Sequence, residues 1–371
     1  MLPVGPFLEF CQQNALFLPG QRILAAVSGG RDSVLLAHLL NAAQIPFGIA
    51  HMNFQLRGDE SLRDEAFVRQ LAESFSVPFF TERVDTNGYA AEKRLSTQMA
   101  ARELRYAWFE KIRGENGFDQ IAVAHHRSDV AETMLLNLAR GTGISGLHGI
   151  RAAHGKIIRP LLFLQRSEID TLFSPGKIAY VEDSSNAKTD YARNRIRQEV
   201  LPALTAINPS LEDTLMRNAA RFRETEELLS DTVAAMREAL FREGENNSLL
   251  IDKHRFAGLR PKQLLAFELL RPFGFSETVV KEIIGSLGAQ AGTHFFSPET
   301  RLTIDRRELI LSPRSTTGIG PYFFERDQQE ISDTFFTLKK CAAADFSAEK
   351  KQVCIDSDKL IFPLTVRSWQ P

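Results

Sequence analysis

The stretch LAAVSGGRDSVLLAHLL, residues 24–40, passes from an apolar run through a pair of glycines into a second apolar run. Gly29 and Gly30 allow the backbone to approach a ligand closely, and backbone N–H groups at the start of a helix favour an anion. Ser28 and Ser33 add hydroxyl groups on either side of the pair. The stretch therefore predicts a buried strand, an anion-binding turn and a helix.

The turn matches neither of two common phosphate-binding motifs. A Walker loop requires four residues between its glycines and then Gly-Lys, and the dinucleotide motif requires GxGxxG. Asp32 would repel a phosphate group unless a divalent cation lay between the two, so we interpret Asp32 as a ligand of Mg²⁺. The alternative is that Asp32 is only a first-turn carboxylate that complements the helix dipole.

Short apolar runs recur along the first half of the chain, separated by amphipathic stretches with apolar residues about 3.6 positions apart. Alternating strands and helices are typical of a doubly wound, parallel α/β sheet with right-handed crossovers. The predicted strands are 22–27, 47–51, 79–84 and 120–125, and the predicted helices are 33–42, 60–75 and 92–113.

Polar clusters follow three of these strands, at the carboxyl ends where ligands bind in such sheets. They are residues 28–33, 51–53 and 125–126. In a helix that begins just after the histidine pair, Asp129 and Glu132 share one face. Two carboxylates beside a histidine are suited to hold an ammonium group and help to remove its proton. The alternative is an ordinary solvated helix start.

Composition sets the class of protein. The 371 residues are 43% hydrophobic and 25% charged, which is typical of a soluble globular enzyme. The net charge of −1 means that any contact with nucleic acid depends on local basic patches. We find no apolar run of membrane-spanning length and no secretion leader. Cys11, Cys341 and Cys354 are far apart without a CxxC motif, which predicts a cytoplasmic protein without a zinc knuckle.

The later part of the chain does not continue the alternation of predicted strands and helices. A long amphipathic stretch at 211–243 precedes strand-like runs, and a short β-rich tail follows. We predict domains at 1–205, 206–313 and 314–371, the last of them incomplete. In the basic segment RNRIR, Arg193 and Arg197 share a helix face and are candidate RNA phosphate contacts. A solvated face of mixed charge is the alternative.

Several motifs in a fixed order closely resemble those of the tRNA(Ile)-lysidine synthetase (TilS) family, which belongs to the PP-loop ATP pyrophosphatases. The resemblance covers about the first 200 residues. Its motifs are SGGRDS (28–33), HMNFQLRGDES (51–61), AARELRYAWF (100–109), HHRSDVAETMLLNLARGTGISGL (125–147) and EDSSNAKTDYARNRIRQEVLP (182–202).

The resemblance implies a two-step ligation. ATP adenylates the C2 oxygen of the wobble cytidine in the tRNA(Ile) that has a CAU anticodon, and pyrophosphate leaves. The ε-amine of free L-lysine then attacks C2 and expels AMP, which leaves lysidine. The implied fold is a PP-loop domain followed by a helical and α+β substrate-binding domain and the start of a β-containing C-terminal unit.

The resemblance also assigns roles to individual residues. Arg105 lies near the ATP phosphates, His125 lies near the reacting groups, and Asp129 and Glu132 take the lysine. The tRNA is contacted by Arg193 and Arg197. ATP is bound by Ser28, Gly29, Gly30, Arg31, Asp32 and Ser33, with Mg²⁺ on Asp32.

The chain departs from the family pattern at named positions. Ser128 stands where the family usually has a second acid beside Asp129, Val130 stands where it often has Gln, and Phe54 stands where many members have a histidine. The chain ends where the family motif continues, so we expect ATP binding to be kept and tRNA modification to be weak. The oligomeric state, a homodimer included, is left open.

Three other functions remain as alternatives. A tRNA thiolase shares the loop but needs cysteines near the site, and residues 20–200 contain none. A small-molecule adenylating ligase should lack the RNRIR segment and the tail. A non-catalytic nucleotide-sensing or tRNA-binding protein would account for Ser128 as the trace of a decayed site.

Overall fold

The computed structural model describes residues 1–174, 178–182, 192–314, 322–333, 336–340 and 359–366. The chain divides into two compact units, Met1–Leu229 and Ser230–Pro371. Within the described ranges, no helix is long and apolar enough to cross a membrane.

The α-helices of the described residues are α1 (Val4–Gln13), α2 (Arg31–Ala42), α3 (Asp59–Phe75), α4 (Thr86–Lys93), α5 (Thr97–Glu115), α6 (Arg127–Ala139), α7 (Ile144–Leu147), α8 (Arg166–Phe173), α9 (Ala192–Arg195), α10 (Leu201–Ile207), α11 (Leu211–Leu240), α12 (Lys253–Ala257), α13 (Lys262–Leu270) and α14 (Glu277–Gly285). A π-helical turn, Ile196–Val200, joins α9 to α10.

The strands are β1 (Ile23–Ala26), β2 (Phe47–Asn53), β3 (Phe79–Arg83), β4 (Gln120–Ala122), β5 (Ala153–His154), β6 (Ile157–Ile158), β7 (Phe241–Glu243), β8 (Leu249–Asp252), β9 (Thr293–Phe296), β10 (Thr300–Ile304), β11 (Glu308–Pro313), β12 (Tyr322–Phe324), β13 (Glu330–Asp333), β14 (Phe336–Lys339) and β15 (Leu364–Val366).

The first unit contains a sheet of strand order β3-β2-β1-β4-β6-β5. All neighbouring strands in it pair in parallel except β5, which is antiparallel to β6. This confirms the predicted parallel α/β sheet and each of its predicted strands. The hairpin of β5 and β6 was not predicted, because strands of two residues are too short to show a periodic pattern.

The central strand β1 is covered on both faces, as a continuous apolar run indicates. Ile23 and Ala25 pack into a cluster with residues of α2, whereas Leu24 points the other way and packs with Trp108 and Phe109. This burial fixes the carboxyl end of β1, which leads into the glycine pair.

The predicted helix at 92–113 is wrong at its N-terminal end. The structure has two helices there, α4 and α5, because Arg94 adopts a left-handed conformation with φ of 55° and ends α4. Ser96 then caps α5 by accepting a hydrogen bond from the Met99 N–H at 3.3 Å. Sequence periodicity ran through this break because the apolar spacing on its two sides is similar.

The second unit contains an antiparallel sheet of strand order β7-β8-β11-β10-β9, with α12, α13 and α14 between β8 and β9. Two two-stranded pairs follow, β12 with β15 and β13 with β14. Cys341 and Cys354 lie outside the described residues. Burial raises the pKa of the Cys11 thiol, in the first unit, to about 12.

Candidate active site at the carboxyl edge of the parallel sheet

The glycine turn between β1 and α2 is held in shape by its own serines. Ser33 Oγ accepts a hydrogen bond from the Ser28 N–H at 3.1 Å and donates one to the Gly30 carbonyl at 2.8 Å. Gly29 has φ of 95°, a conformation that a side chain would strain. Gly30 is the N-cap of α2 and has no side chain to cap it. The first N–H groups of α2 are therefore suited to a ligand oxygen.

Asp32, in the first turn of α2, pairs with a residue that the sequence did not single out. Nη1 of Arg166, at the start of α8, donates to both Asp32 carboxylate oxygens at 3.1 and 3.2 Å. Arg166 Nε also lies 3.2 Å from Asp170 Oδ1. The negative charge beside the glycine turn is thus compensated within the protein.

Arg31, the variable residue of SGGRDS, turns toward α8 and the segment after it. It contacts Asp170 and donates to the Tyr180 hydroxyl at 2.8 Å, with its guanidinium 4.8 Å from the centre of the Tyr180 ring. The contacts of Arg31 therefore fix the glycine turn against α8.

The histidine pair follows β4, and α6 begins at Arg127 as predicted. The His126 N–H donates to Asp129 Oδ2 at 2.9 Å, while its Nε2 lies 3.5 Å from Asp129 Oδ2 and 3.8 Å from Asp32 Oδ2. His126 is only 2% exposed. It joins the glycine turn to the acidic face of α6.

His125 is partly buried, and this burial lowers the pKa of its imidazole to about 4. The negative charge of Asp129 opposes this shift, and the positive charges of Arg159, Arg193 and Arg102 add to it. Its Nδ1 makes no hydrogen bond with any described residue. At neutral pH the ring is therefore uncharged and has a free nitrogen.

The acid pair on α6 is saturated by arginines. Arg193 Nε donates to Glu132 Oε2 at 2.7 Å, and its Nη2 donates to Asp129 Oδ1 at 3.0 Å. Arg197 Nε donates to Glu132 Oε1 at 2.6 Å. The Glu132 side chain is 1% exposed, whereas those of Arg193 and Arg197 are 39% and 42% exposed. The arginines thus cover the acids from the solvent side.

Asp129 stays ionised in this setting. Burial by itself raises the pKa of its carboxyl group, but His126, His125 and Arg193, together with the His126 N–H, bring it below its ordinary value. An ionised, buried carboxylate is the group that an ammonium ligand requires.

The two departures from the family pattern on α6 have structural partners. Ser128 Oγ donates to Glu212 Oε1, at the start of α11, at 2.6 Å. Val130 is fully buried and packs with Met134 and Leu162. Ser128 therefore has a carboxylate neighbour, and Val130 fills the core behind the acid pair.

Arg105 lies on α5 at the same edge of the sheet, with its guanidinium 5.0 Å from the centre of the Phe54 ring. Arg102, one turn earlier, lies 4.7 Å from the ring of Tyr106. Arg159 directly follows β6 and is 8% exposed. We call Arg102, Arg105 and Arg159 the arginine trio. Among the described residues, none of the three has a carboxylate within ion-pair distance.

The predicted site residues are thus brought to one edge, but in two groups. Direct contacts connect Asp32 through His126 to Asp129, and Asp129 through Arg193 to Glu132. Arg105 has no hydrogen bond to the glycine turn within the described residues. Sequence reasoning missed Arg159, Arg166 and Glu212, and no motif at these positions signals their role.

Comparison with known proteins agrees with this architecture. Residues 7–204 match the family described as PP-loop domain, and residues 243–314 match the family described as TilS substrate binding domain. The tRNA(Ile)-lysidine synthase of Bacteroides thetaiotaomicron is 39% identical over 367 residues, which cover 98% of this chain and 82% of that protein. The enzyme of the same name from Parabacteroides distasonis is 39% identical over 376 residues, which cover 97% and 82%.

A solved structure, the U34-tRNA thiolase NcsA from Methanococcus maripaludis with its [4Fe-4S] cluster, superposes on 59% of this chain and 78% of that chain. The TM-score is 0.49 and the sequence identity is 18%.

The first unit, with its parallel sheet and SGGRDS turn, therefore defines a PP-loop domain protein. Within that class, the family is identified by the relatives that are 39% identical over almost the whole chain. The chain belongs to the tRNA(Ile)-lysidine synthase family.

Proposed function

We propose that this chain is a ligase that uses ATP to join lysine to C2 of the wobble cytidine of tRNA(Ile) with a CAU anticodon. The cytidine is first adenylated with release of pyrophosphate, and lysine then displaces AMP to give lysidine. The observation that carries the proposal is the contact chain from Asp32 through His126 to Asp129, at 3.8 and 3.5 Å. It supports the proposal because a turn suited to an anion and an acid pair suited to an amine belong to one chain of contacts.

ATP is assigned to the glycine turn, residues 28–33. The N–H groups in the first turn of α2 and the Ser28 hydroxyl are suited to phosphate oxygens. Mg²⁺ in proteins is commonly held by one or two carboxylates together with substrate phosphates, and the two oxygens of Asp32 fit that donor set. A bound Mg²⁺ ion would offset phosphate charge there. Because Arg166 occupies the same oxygens, the ion and Arg166 compete for Asp32.

Lysine is assigned to Asp129 and Glu132. The amine of free lysine has a pKa of about 10.4 and must lose a proton before it can attack, so a neutral acceptor nearby is needed. His125 is suited to this, because burial keeps its imidazole uncharged at neutral pH. The ammonium group has to displace the guanidinium groups of Arg193 and Arg197 from the acids.

The tRNA is assigned to Arg193, Arg197 and the segment at 243–314 that matches a substrate binding domain. Arginines released from the acids by the incoming lysine become available to phosphate oxygens. We further propose the domain limits 1–205, 206–313 and 314–371, a cytoplasmic location, and a homodimer as the assembly to test.

One assay tests the proposal. The chain is incubated with tRNA(Ile), ATP and labelled lysine, and the products are scored for label on the RNA and for AMP. We expect both in the wild type and neither in Asp32→Ala. AMP without labelled RNA would indicate a small-molecule ligase, and absence of both products in the wild type would reject the assignment.

A further inference from the structure

The arginine trio is built differently from every other arginine group in the site. Arg31, Arg166, Arg193 and Arg197 each pair with a carboxylate. In the part of the chain that the structure describes, Arg102, Arg105 and Arg159 pair with none. The groups that they contact are the rings of Tyr106 and Phe54 and the backbone carbonyl of Arg151. A cation without a counter-ion costs more the further it is removed from water.

Arg159 is the member for which that cost is highest. The residue is 8% exposed, its Nη1 donates to the Arg151 carbonyl at 2.7 Å, and its buried Nε has no hydrogen-bond partner among the described residues. A guanidinium group has five N–H donors in a rigid fork, and this one has used only part of them. No described residue accepts a hydrogen bond from this Nε–H, which leaves a buried donor suited to a ligand oxygen.

The three arginines act on one another and on the catalytic edge. Burial lowers the pKa of both the Arg105 and the Arg159 guanidinium groups, Tyr106 opposes the shift, and repulsion from Arg102 adds to it. Arg102 and Arg159 also lower the pKa of His125. Arg102 therefore acts on both other members of the trio, and Arg102 and Arg159 also act on the histidine that follows β4.

Strand order explains the position of the trio. Arg159 follows the carboxyl end of β6, which pairs with β4, and Phe54 under Arg105 follows the carboxyl end of β2. Carboxyl ends of parallel strands lie along one edge, so the trio faces the same side of the sheet as the glycine turn. No positive region at this edge is needed to compensate the acids, which already have arginines of their own.

We propose that Arg102 and Arg159 join Arg105, for which the family resemblance already implies a place near the ATP phosphates, in an anion site for a phosphate group, with Arg159 as its buried anchor. The inference rests on the proposed function, which supplies two sources of that chemistry: the triphosphate of ATP and the backbone of tRNA at the target nucleotide. Arginine forks match phosphate oxygens in charge and in geometry.

The experiment uses the full chain and separates the two sources. In the first arm, ATP binding with Mg²⁺ is measured by calorimetry without RNA. In the second arm, binding of a tRNA(Ile) transcript without ATP is measured at several salt concentrations. Both arms compare the wild type with Arg102→Gln, Arg159→Gln and Arg159→Lys. The control is Arg113→Gln, on the same helix as Arg102 but paired with Glu110.

Loss of a charge-assisted contact predicts about 10-fold to 100-fold weaker binding of the true ligand. If that ligand is ATP, both Gln variants lose nucleotide affinity and keep the salt slope for tRNA. If it is the tRNA backbone, ATP binding is unchanged and the slope of log K against log salt falls by about 0.7–0.9 per lost contact. Arg159→Lys keeps the charge and is expected to retain part of the binding.

The site would be overturned if Arg102→Gln, which replaces an exposed residue, left both arms at the level of Arg113→Gln. The same holds if a folded Arg159→Gln, judged by circular dichroism, matched the control in both arms. Failure of the proposed function gives a separate result: the wild type transfers no lysine to tRNA(Ile), while the trio variants still weaken anion binding.

Discussion

The acid-bearing part of the site and the arginine trio use the same cationic side chain in opposite ways. Around Asp32, Asp129 and Glu132, arginines hold the protein's own carboxylates at 2.6–3.2 Å. Around Phe54 and Tyr106, arginines have no described carboxylate partner. A carboxylate that is paired with an arginine can exchange that arginine for a cationic ligand. An arginine without a carboxylate partner is suited to bind an anionic ligand, because the ligand then supplies the counter-ion.

Glu132→Gln is expected to have the largest effect on the neutralised part. It leaves Asp129 as the remaining described carboxylate partner of Arg193 and Arg197, and it removes one of the two acids assigned to lysine. Lysine transfer should fall on the order of 100-fold, and the free energy of unfolding by about 1–3 kcal/mol. The measurements are the labelled-lysine assay and urea unfolding.

Glu110→Gln is the matched control for Glu132→Gln. It also removes the carboxylate of an arginine pair, but Glu110 is half exposed, so its loss should change stability by less than about 0.5 kcal/mol. Equal effects of the two substitutions would remove the distinction between a buried pair that serves the site and an ordinary surface pair.

His125→Asn tests the boundary between the two parts. Burial lowers the pKa of His125 from 6.5 to about 4, so between these values the unfolded chain binds more protons than the folded one. The wild type should therefore lose stability as the pH falls from 6.5 to 4. His125→Asn should lose about 2–3 kcal/mol less over that range. Parallel curves in urea titrations at several pH values would contradict this.

Arg166→Gln tests whether Asp32 needs its internal counter-ion. An unpaired Asp32 repels phosphate, so ATP binding in EDTA should weaken about 10-fold, whereas saturating Mg²⁺ should restore most of the affinity. The double variant Asp32→Asn with Arg166→Gln removes both charges and should regain binding in EDTA. Arg69→Gln, at a half-exposed arginine paired with Glu65, serves as control. Weakening of the same size with and without Mg²⁺ would exclude competition for Asp32.

Ser128→Asp is expected to have the smallest effect. It places a second carboxylate where Ser128 now donates to Glu212, and the repulsion should lower stability by about 1 kcal/mol. Thermal unfolding measures the loss, and adding Glu212→Gln should recover most of it. A more stable Ser128→Asp variant would show that the two positions do not interact.

The sequence predicted the features that depend on residues close together in the chain, and it missed those that depend on distant residues. The glycine turn, the start of α6 and the strands beside them depend on residues close in sequence, and their pattern was sufficient. Arg166 pairs with Asp32 across 134 positions, and Ser128 pairs with Glu212 across 84. No local pattern encodes such a partner, because each depends on how the helices pack around the sheet.

The same limit explains why the partners of Arg193 and Arg197 could not be predicted from the sequence. Their spacing correctly places them on one side of a helical segment, but whether that side meets RNA or protein depends on the distant α6. The break at Arg94 was not predicted for a different reason. A single left-handed residue interrupts a helix without disturbing the apolar pattern. The predicted roles of the site residues remain predictions for the assays above.

The hydrogen bond between Ser128 and Glu212 has a consequence for how relatives of this chain are read. In a comparison with the family motif, Ser128 stands in place of an acid and suggests an enzyme that has lost its activity. In space, a carboxylate from α11 accepts the hydrogen bond of Ser128, so an acidic side chain from another part of the chain stands beside that position. Activity in other members with a hydroxyl at this position is therefore better judged from the first turn of the long helix than from the histidine motif.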